Sequence, residues 1–442
     1  MERPTTHHPA GRPADAARRA RDRDRRHVWH PWSPIDNDRD QLMLSRGAGY
    51  LLWDVDGREY IDGTSSALSA SCGHGHPYIR RAVEAQLARL PHYDLSTGSH
   101  EPSGLLAERL AGLMPAALSH TLFVNSGSEG MEAAVLIATW YWANIGQPRR
   151  RVVSLARGYH GTTVVSRTLS GLVPTGHGLR DPLPVTRVEL PAAPDDIRRP
   201  EHLPALLAAF TTAIDDDADG PPAAVVVEPL LNVGGGIVLP DGFLRGLREL
   251  CDASGALLVL DEVFTGCGRT GRMFACLRED VEPDVLVVSK GLGSGYLPIT
   301  AVVTNPEIHA SFRRDPVFGG LRYGHTTSGH AVACAAALAA LNVIESERLS
   351  ERAEVLGRRL IDGLAPLTGT PQVVDVRGLG LVVTLQTDSV DTATSLVTTA
   401  RSRGLLLRQQ QENVMVIPPL ILDEDGADQI VTRILGCLAE AA

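Results

Sequence analysis

The stretch Leu257-Leu-Val-Leu-Asp-Glu-Val-Phe-Thr-Gly266 decides how the rest of the chain is read. Four apolar residues in succession read as a strand buried on both faces, the kind found in parallel sheets. Such a strand brings Asp261 to the sheet edge, where α/β folds place their ligands. A carboxylate buried there requires a cationic partner. Downstream, the apolar run Val285–Val288 ends in Ser289-Lys290-Gly291. From about residue 90 to 310, helical patterns alternate with short apolar runs, and the further strand candidates are Thr121–Asn125, Arg151–Leu155, Ala224–Val227 and Thr300–Thr304. That alternation predicts βαβ units around a mostly parallel sheet.

On either side of this region the patterning changes. Residues 1–26 hold Pro, Ala, His and a mixed Arg/Asp run with few apolar side chains, so an arm without fixed structure is expected. Folded sequence is expected to start at His27-Val-Trp-His-Pro-Trp32, and Gly49–Asp62 reads as a β-hairpin turning at Asp56-Gly57. A helix is expected from Pro77 to about Leu90, and the Pro191–Pro222 stretch reads as loop around one short helical pattern. Beyond His330 come an Ala-rich helix, to about Ile344, and the apolar runs Val373–Val376, Leu379–Leu385, Gly404–Leu407 and Val414–Ile417, which predict a smaller α+β unit.

Bulk composition narrows the function classes. The 442 residues are 43% hydrophobic and 21% charged, as in globular proteins. A net charge of −10 speaks against general nucleic-acid binding. No run of 18 uncharged apolar residues occurs, and the N-terminus has no signal-peptide core, so a cytoplasmic protein away from membranes is expected. Six scattered cysteines without a C-x-x-C pair read as thiols in a reducing compartment. His74 and His76 are close, but no acidic or Cys partners stand at ligand spacing, so no metal is expected.

Four segments fit one cofactor. Asn125-Ser-Gly-Ser-Glu129 lies between a strand and a helix, whose N-terminus suits a phosphate dianion. Gly127 allows close backbone approach, and Ser126 and Ser128 offer hydroxyls, although a simple N-cap explains the serines as well. In Arg157-Gly-Tyr-His-Gly161 the ring of Tyr159 can stack on a pyridine, with His160 beside it. Asp261 can pair a protonated pyridine nitrogen, which makes the ring an electron sink, while Val263 packs on the ring's other face. Lys290, one of very few lysines in an arginine-rich chain, is poorly explained as a solvated charge and well explained as a Schiff-base nucleophile.

Together these segments resemble the class III, fold-type I, pyridoxal-phosphate (PLP) dependent aminotransferases, from about His27 to the C-terminus. The most specific element is Asp261-Glu-Val-Phe-Thr-Gly-Cys-Gly-Arg-Thr-Gly271 followed by Ser289-Lys290-Gly291. Cys267, inside it, reads as a small residue filling space. The resemblance implies an α/β fold. A large PLP-binding domain over 71–325 would carry a mostly parallel seven-stranded sheet flanked by helices. A small α+β domain would be built from 27–70 and 326–442. It makes Gly127 and Ser128 the phosphate cup, Tyr159 the stacking ring, Asp261 the pyridinium partner and Lys290 the catalytic lysine. Thr326, in Gly324-His-Thr-Thr-Ser-Gly329, is similar to the residue that reaches the neighbouring subunit's phosphate, which implies a homodimer with shared sites. The implied reaction is ping-pong transfer of an amino group from an amine donor to a ketone or aldehyde.

The pattern departs at the substrate end. Many α-carboxylate-using members carry an Arg three residues before Pro-Pro, where this chain has Met415. A thioether cannot make a guanidinium's bidentate contacts. Glu228, which matches a family glutamate at the cofactor and often pairs with that Arg, is therefore expected to face a substrate cation, and the substrate to lack an α-carboxylate. Arg377 or Arg322 could instead supply the contact. His27–Trp32 looks like the opening of the diaminopelargonate (biotin-pathway) aminotransferases, but Ala67-Leu68 stands where that group has Trp-Trp. A wider pocket, lined by Trp32, Ala67, Leu68, Glu228 and Met415, points to an ω-amine or a biosynthetic tailoring ketone, including a peptide C-terminal carbonyl. A PLP racemase or aminomutase, and a non-catalytic PLP-fold binding protein, are the alternatives.

Overall fold

Seven strands form the central sheet of the structure, a computed structural model that describes residues 14–35, 41–172, 181–216 and 219–440. Their order is His120–Val124, Thr300–Thr304, Val285–Val288, Leu257–Glu262, Ala224–Val227, Val152–Leu155 and Val185–Val188. Thr300–Thr304 runs antiparallel to both neighbours, and the other pairings are parallel. The sheet is buried on both faces. Val226, Val259, Val285, Val287 and Val302 pack beneath the helix Gly127–Asn144. Their alternates Val225, Leu258, Leu260, Leu286 and Val303 belong to the larger core on the other face, with the helices Leu203–Asp215 and Phe243–Ser254. Each such side chain contributes about 1.5–3 kcal/mol by leaving water, which is why these strands read as unbroken apolar runs.

Three smaller sheets among the described residues complete the fold, one of them the two-stranded pair Leu230–Leu231 and Ile237–Val238. The hairpin Leu51–Asp54 and Glu59–Asp62 forms as the sequence predicts, with Asp54 Oδ1 accepting from Asp56 N and Arg58 N at 2.9 Å across the turn. Leu44–Ala48 flanks it on one side. On the other, Leu405–Leu406 pairs parallel to Ile61-Asp62, so both ends of the chain share one sheet. The strands Val373–Gly378, Val383–Thr387, Asn413–Val416 and Arg408–Gln410 form an antiparallel sheet, beside the helices Leu349–Leu364 and Val390–Ser402. Glu424–Glu440 packs against both of these helices.

The structure corrects three expectations. Within the arm expected to lack structure, Ala14–His27 is a helix; residues 1–13 lie outside the described residues. Ala and Arg are good helix formers, Asp15 and Arg25, Arg26 and His27 suit the two ends of the helix dipole, and an ion pair from Arg21 to Asp56 ties the helix to the hairpin turn. The strand Val185–Val188 escaped the apolar-run criterion because it is an edge strand, with only Val188 buried. The run Leu379–Leu385 is a strand only from Val383, because Gly380, at φ +57°, turns the chain before it.

That turn lies against the helix Leu349–Leu364, where a Cβ on Gly357 would collide with the Gly380 carbonyl. The Gly357→Ala protein should lose about 3 kcal/mol of stability by overpacking, read as a lower urea midpoint at unchanged slope.

Candidate active site

The ends of three parallel strands and the start of one helix converge on a cavity of about 180 Å³. Parallel register places Asp261 opposite Val287. The Lys290 side chain therefore enters from the next strand at the same sheet edge, and both residues line the cavity. The Lys290 backbone sits at φ +29°, outside the conformations ordinary residues favour. Burial pulls its ammonium below the usual lysine range, against the opposing pull of Asp261 and Glu228. Nζ lies 5.6 Å from the centre of the Phe264 ring. The chain has no other lysine: every other basic residue counted with it is arginine.

Asp261 is buried, with Oδ1 accepting from Val263 N at 3.0 Å and Oδ2 accepting from His160 Nδ1 at 2.7 Å. His160 is held further by its backbone N–H, which donates to Ser170 Oγ at 2.8 Å. Burial alone would lower its pKa, but the Asp261 hydrogen bond and charge outweigh burial and raise it. Glu228 accepts from Tyr159 N at 2.9 Å and Asn232 N at 3.3 Å, and desolvation pushes its carboxyl up to about 7. Tyr159 lines the cavity and meets Trp32 edge-on, with ring centres 6.5 Å apart.

At the helix start, Gly127 and Ser128 border the cavity, and a Cβ on Gly127 would stand 2.8 Å from Val263, itself a lining residue. Ser126 does not line it. Its hydroxyl accepts from Glu129 N while Glu129 accepts from Ser126 N, a capping box that turns the side chain back onto its own helix. Thr326 also lies outside the cavity: it is exposed, and its carbonyl accepts from His92 Nε2 at 2.9 Å.

The substrate-end expectations fare unevenly. Glu228 lines the cavity, but both its oxygens already accept backbone hydrogen bonds. Leu68 and Met415 are buried with Phe264 in an apolar cluster behind the cavity wall, not on the wall itself. Trp32 and Ala67 are exposed. Ser65–Leu68 forms a turn with all four residues left-handed, at φ +47°, +47°, +60° and +73°, a conformation that costs about 1–2 kcal/mol for each non-glycine residue. Arg377 is fully engaged with Asp375, Gln386, Asn413 and the Gly235 and Gly236 carbonyls. Arg322 pairs with Asp315 and lies over Trp140. Neither lines the cavity.

Sequence reasoning missed Arg408. It stands directly across from Met415 in the antiparallel pair Arg408–Gln410 and Asn413–Val416. It does not line the cavity either, but its positive charge acts on both Tyr159 and Lys290. Among the described residues it pairs with no carboxylate, and burial lowers its pKa. The available signal was an arginine ending the apolar run Gly404-Leu-Leu-Leu407, but only strand register shows that it shares Met415's face.

A buried carboxylate, a buried lysine, an aromatic ring and a glycine-bearing helix start around one cavity are the parts that a phosphorylated pyridine aldehyde needs. The aminotransferase class-III family model matches residues 34–438. The chain belongs to that family: it is a PLP-dependent class III aminotransferase of fold type I. Among curated relatives it is 37% identical to the adenosylmethionine-8-amino-7-oxononanoate aminotransferase of Nitratidesulfovibrio vulgaris, over 96% of this chain and 83% of that one. It is 34% identical to the protein of the same name from Anoxybacillus flavithermus, over 90% and 92%. Among solved structures, a PLP-bound amine transaminase from an uncultivated Pseudomonas species superposes with a TM-score of 0.88 at 31% identity, covering 94% and 99%. An (S)-enantioselective omega-transaminase from Thermomicrobium roseum gives 0.89 at 31%, covering 96% and 98%.

Borohydride reduction of the purified protein should fix one cofactor per chain on the Lys290 peptide, and Lys290→Ala should abolish both that mass shift and turnover, since no second ε-amine can substitute. A raised Glu228 pKa has its own sign. Its contribution to stability is complete below the unfolded value and is lost as pH rises through about 7. In cofactor-free protein, the melting-temperature advantage of Glu228→Gln over wild type should therefore grow between pH 5 and pH 8.

Proposed function

We propose that this aminotransferase moves an amino group from an amine donor to a ketone or aldehyde, with Lys290 as base and then acid at the substrate carbon. The observation that carries this reading is the chain's one lysine, buried in the cavity that Asp261 and Tyr159 also line. The residues fit the cofactor: Gly127 and Ser128 at the helix start would hold its phosphate, Asp261 its ring nitrogen, Tyr159 and Val263 its faces. When bound, PLP supplies an electron sink for negative charge on the substrate carbon. Asp261, oriented by His160, would hold a proton at the ring nitrogen. The lowered pKa of Lys290 makes its neutral amine available to take the substrate proton and return it. Glu228 fixes Tyr159 from behind through its backbone N–H.

For the substrate, Arg408 revises the expectation drawn from Met415, because a guanidinium is within electrostatic reach of the site after all. We infer that one substrate carries a carboxylate that meets Arg408. Neither Leu68 nor Met415 reaches the cavity, which keeps a bulkier ω-amine or tailoring ketone as the other substrate of this reading. Exposed Thr326, whose backbone is clasped by His92, supports a homodimer in which it reaches the partner's cofactor. The six free, buried cysteines suit a reducing compartment and support a cytoplasmic enzyme. Among the described residues no helix is long and apolar enough to cross a membrane.

An absorption spectrum tests the reaction class. A band near about 420 nm that converts to the amine form of the cofactor with donor alone supports transamination; racemisation or a 1,2-shift of the amino group without that conversion would replace it. Arg408→Ala should raise KM about 10- to 100-fold for a carboxylate-bearing substrate, the worth of a charge-assisted pair. For an amine without a carboxylate, KM should stay within about threefold.

A further inference from the structure

The left-handed turn Ser65–Leu68 is the most strained backbone described, and it is built without glycine. Three anchors hold it. Asp62, fully buried, accepts through Oδ1 from Thr64 N at 3.0 Å, Thr64 Oγ1 at 2.9 Å and Ser66 N at 3.3 Å. Its Oδ2 accepts from His74 Nε2 at 2.8 Å. Ser65 Oγ donates to the Ile417 carbonyl at 2.6 Å and accepts from Arg269 at 3.2 Å. Ser69 Oγ donates back to the Ser66 carbonyl at 2.9 Å. The turn in turn supports the site: Leu68 packs with Phe264, Met415 and Ile417, and Phe264 both lines the cavity and borders Lys290 Nζ. Ser66 and Ala67 are left facing solvent at the outer side.

We propose that Asp62 is a positioning residue that fixes the substrate-side wall of the site by locking Ser65–Leu68 in its left-handed form, and so sets how large an acceptor the enzyme admits. A relaxed turn would withdraw Leu68 from Phe264 and loosen the wall that Phe264 forms. Asp62 touches neither cofactor nor substrate and acts only through the turn. Strain held by surrounding hydrogen bonds beside reacting groups is characteristic of functional segments, and Asp62 holds both the entry to this one, through Thr64 N, and its interior, through Ser66 N. The inference rests on the aminotransferase activity for its kinetic arm alone.

The test compares four holoenzymes: wild type, Asp62→Asn, Asp62→Asn with Ser66→Gly and Ala67→Gly, and the glycine pair alone. The readouts are the ratio of kcat/KM for acetophenone to that for propanal, and the melting temperature. Asp62→Asn should change that ratio at least about tenfold, through KM, with kcat for propanal within about threefold. Adding the glycines, which adopt left-handed backbone freely, should restore most of the ratio. The glycine pair alone should leave the ratio within about twofold and raise the melting temperature by roughly 1–3 °C through strain relief. An unchanged ratio in Asp62→Asn, or a loss that the glycines do not recover, would overturn the proposal by leaving Asp62 a plain core residue. If Asp62→Asn is insoluble, a lower melting temperature for the glycine pair would overturn it, because the strain would then be absent. That arm needs no substrate, so failure of the substrate reading is read apart from failure of the turn.

Discussion

The parallel pairing of Leu257–Glu262 with Val285–Val288 is the constraint on which the rest of the site depends. In-register pairing sets Asp261 beside Val287, and the neighbouring strand runs on two residues past Val288 to reach Lys290 at the same rim. A shift of one residue would turn Asp261 toward the opposite face of the sheet and part it from Lys290. The shift is opposed by the fully buried side chains on both faces, from Val225 to Val303, whose alternation allows one register only. The geometry of the candidate site is therefore specified by the hydrophobic core rather than by contacts among its polar groups.

Concentrating two buried carboxylates, a lysine and a histidine around one cavity would be costly without mutual compensation. Asp261 is satisfied by His160 and a backbone N–H, Glu228 by two backbone N–H groups, and the opposing charges limit how far the Lys290 pKa falls. The balance is not complete. The Glu228 carboxyl, raised to about 7, is only partly ionised near neutral pH, and the His160 Nε2 is buried without a hydrogen-bond partner. Residual imbalance of this kind is characteristic of sites tuned for proton transfer.

Much of this arrangement was legible in the sequence, for a physical reason. Asp261 and Lys290 each close an apolar strand, and strand ends in α/β sheets are where ligands bind, so one-dimensional pattern sufficed. The alternation of strands and helices was legible in the same way. What escaped were matters of direction and register. Ser126 and Ser128 are two residues apart with the same side chain, yet one caps its helix and the other faces the cavity. Met415 reads as a pocket residue but is core, and Arg408 on the adjacent strand is not marked, because cross-strand pairing leaves no trace in local sequence. The Ala14–His27 helix escaped because its low hydrophobicity hid a favourable charge order and a tether to the hairpin turn.

The chain's arginine-for-lysine usage has a consequence for the protein as a chemical object. An enzyme that works on aldehydes and ketones is bathed in reagents that condense with primary amines. Arginine guanidinium, always protonated, does not form imines under these conditions, so the folded surface presents no side-chain amine to glycation or aldehyde crosslinking. Reactive carbonyls are left one productive side-chain target, inside the cavity. The same property makes the protein a poor subject for glutaraldehyde immobilisation and a clean one for amine-directed probes, whose labelling, apart from the α-amine, reports on a single buried nitrogen.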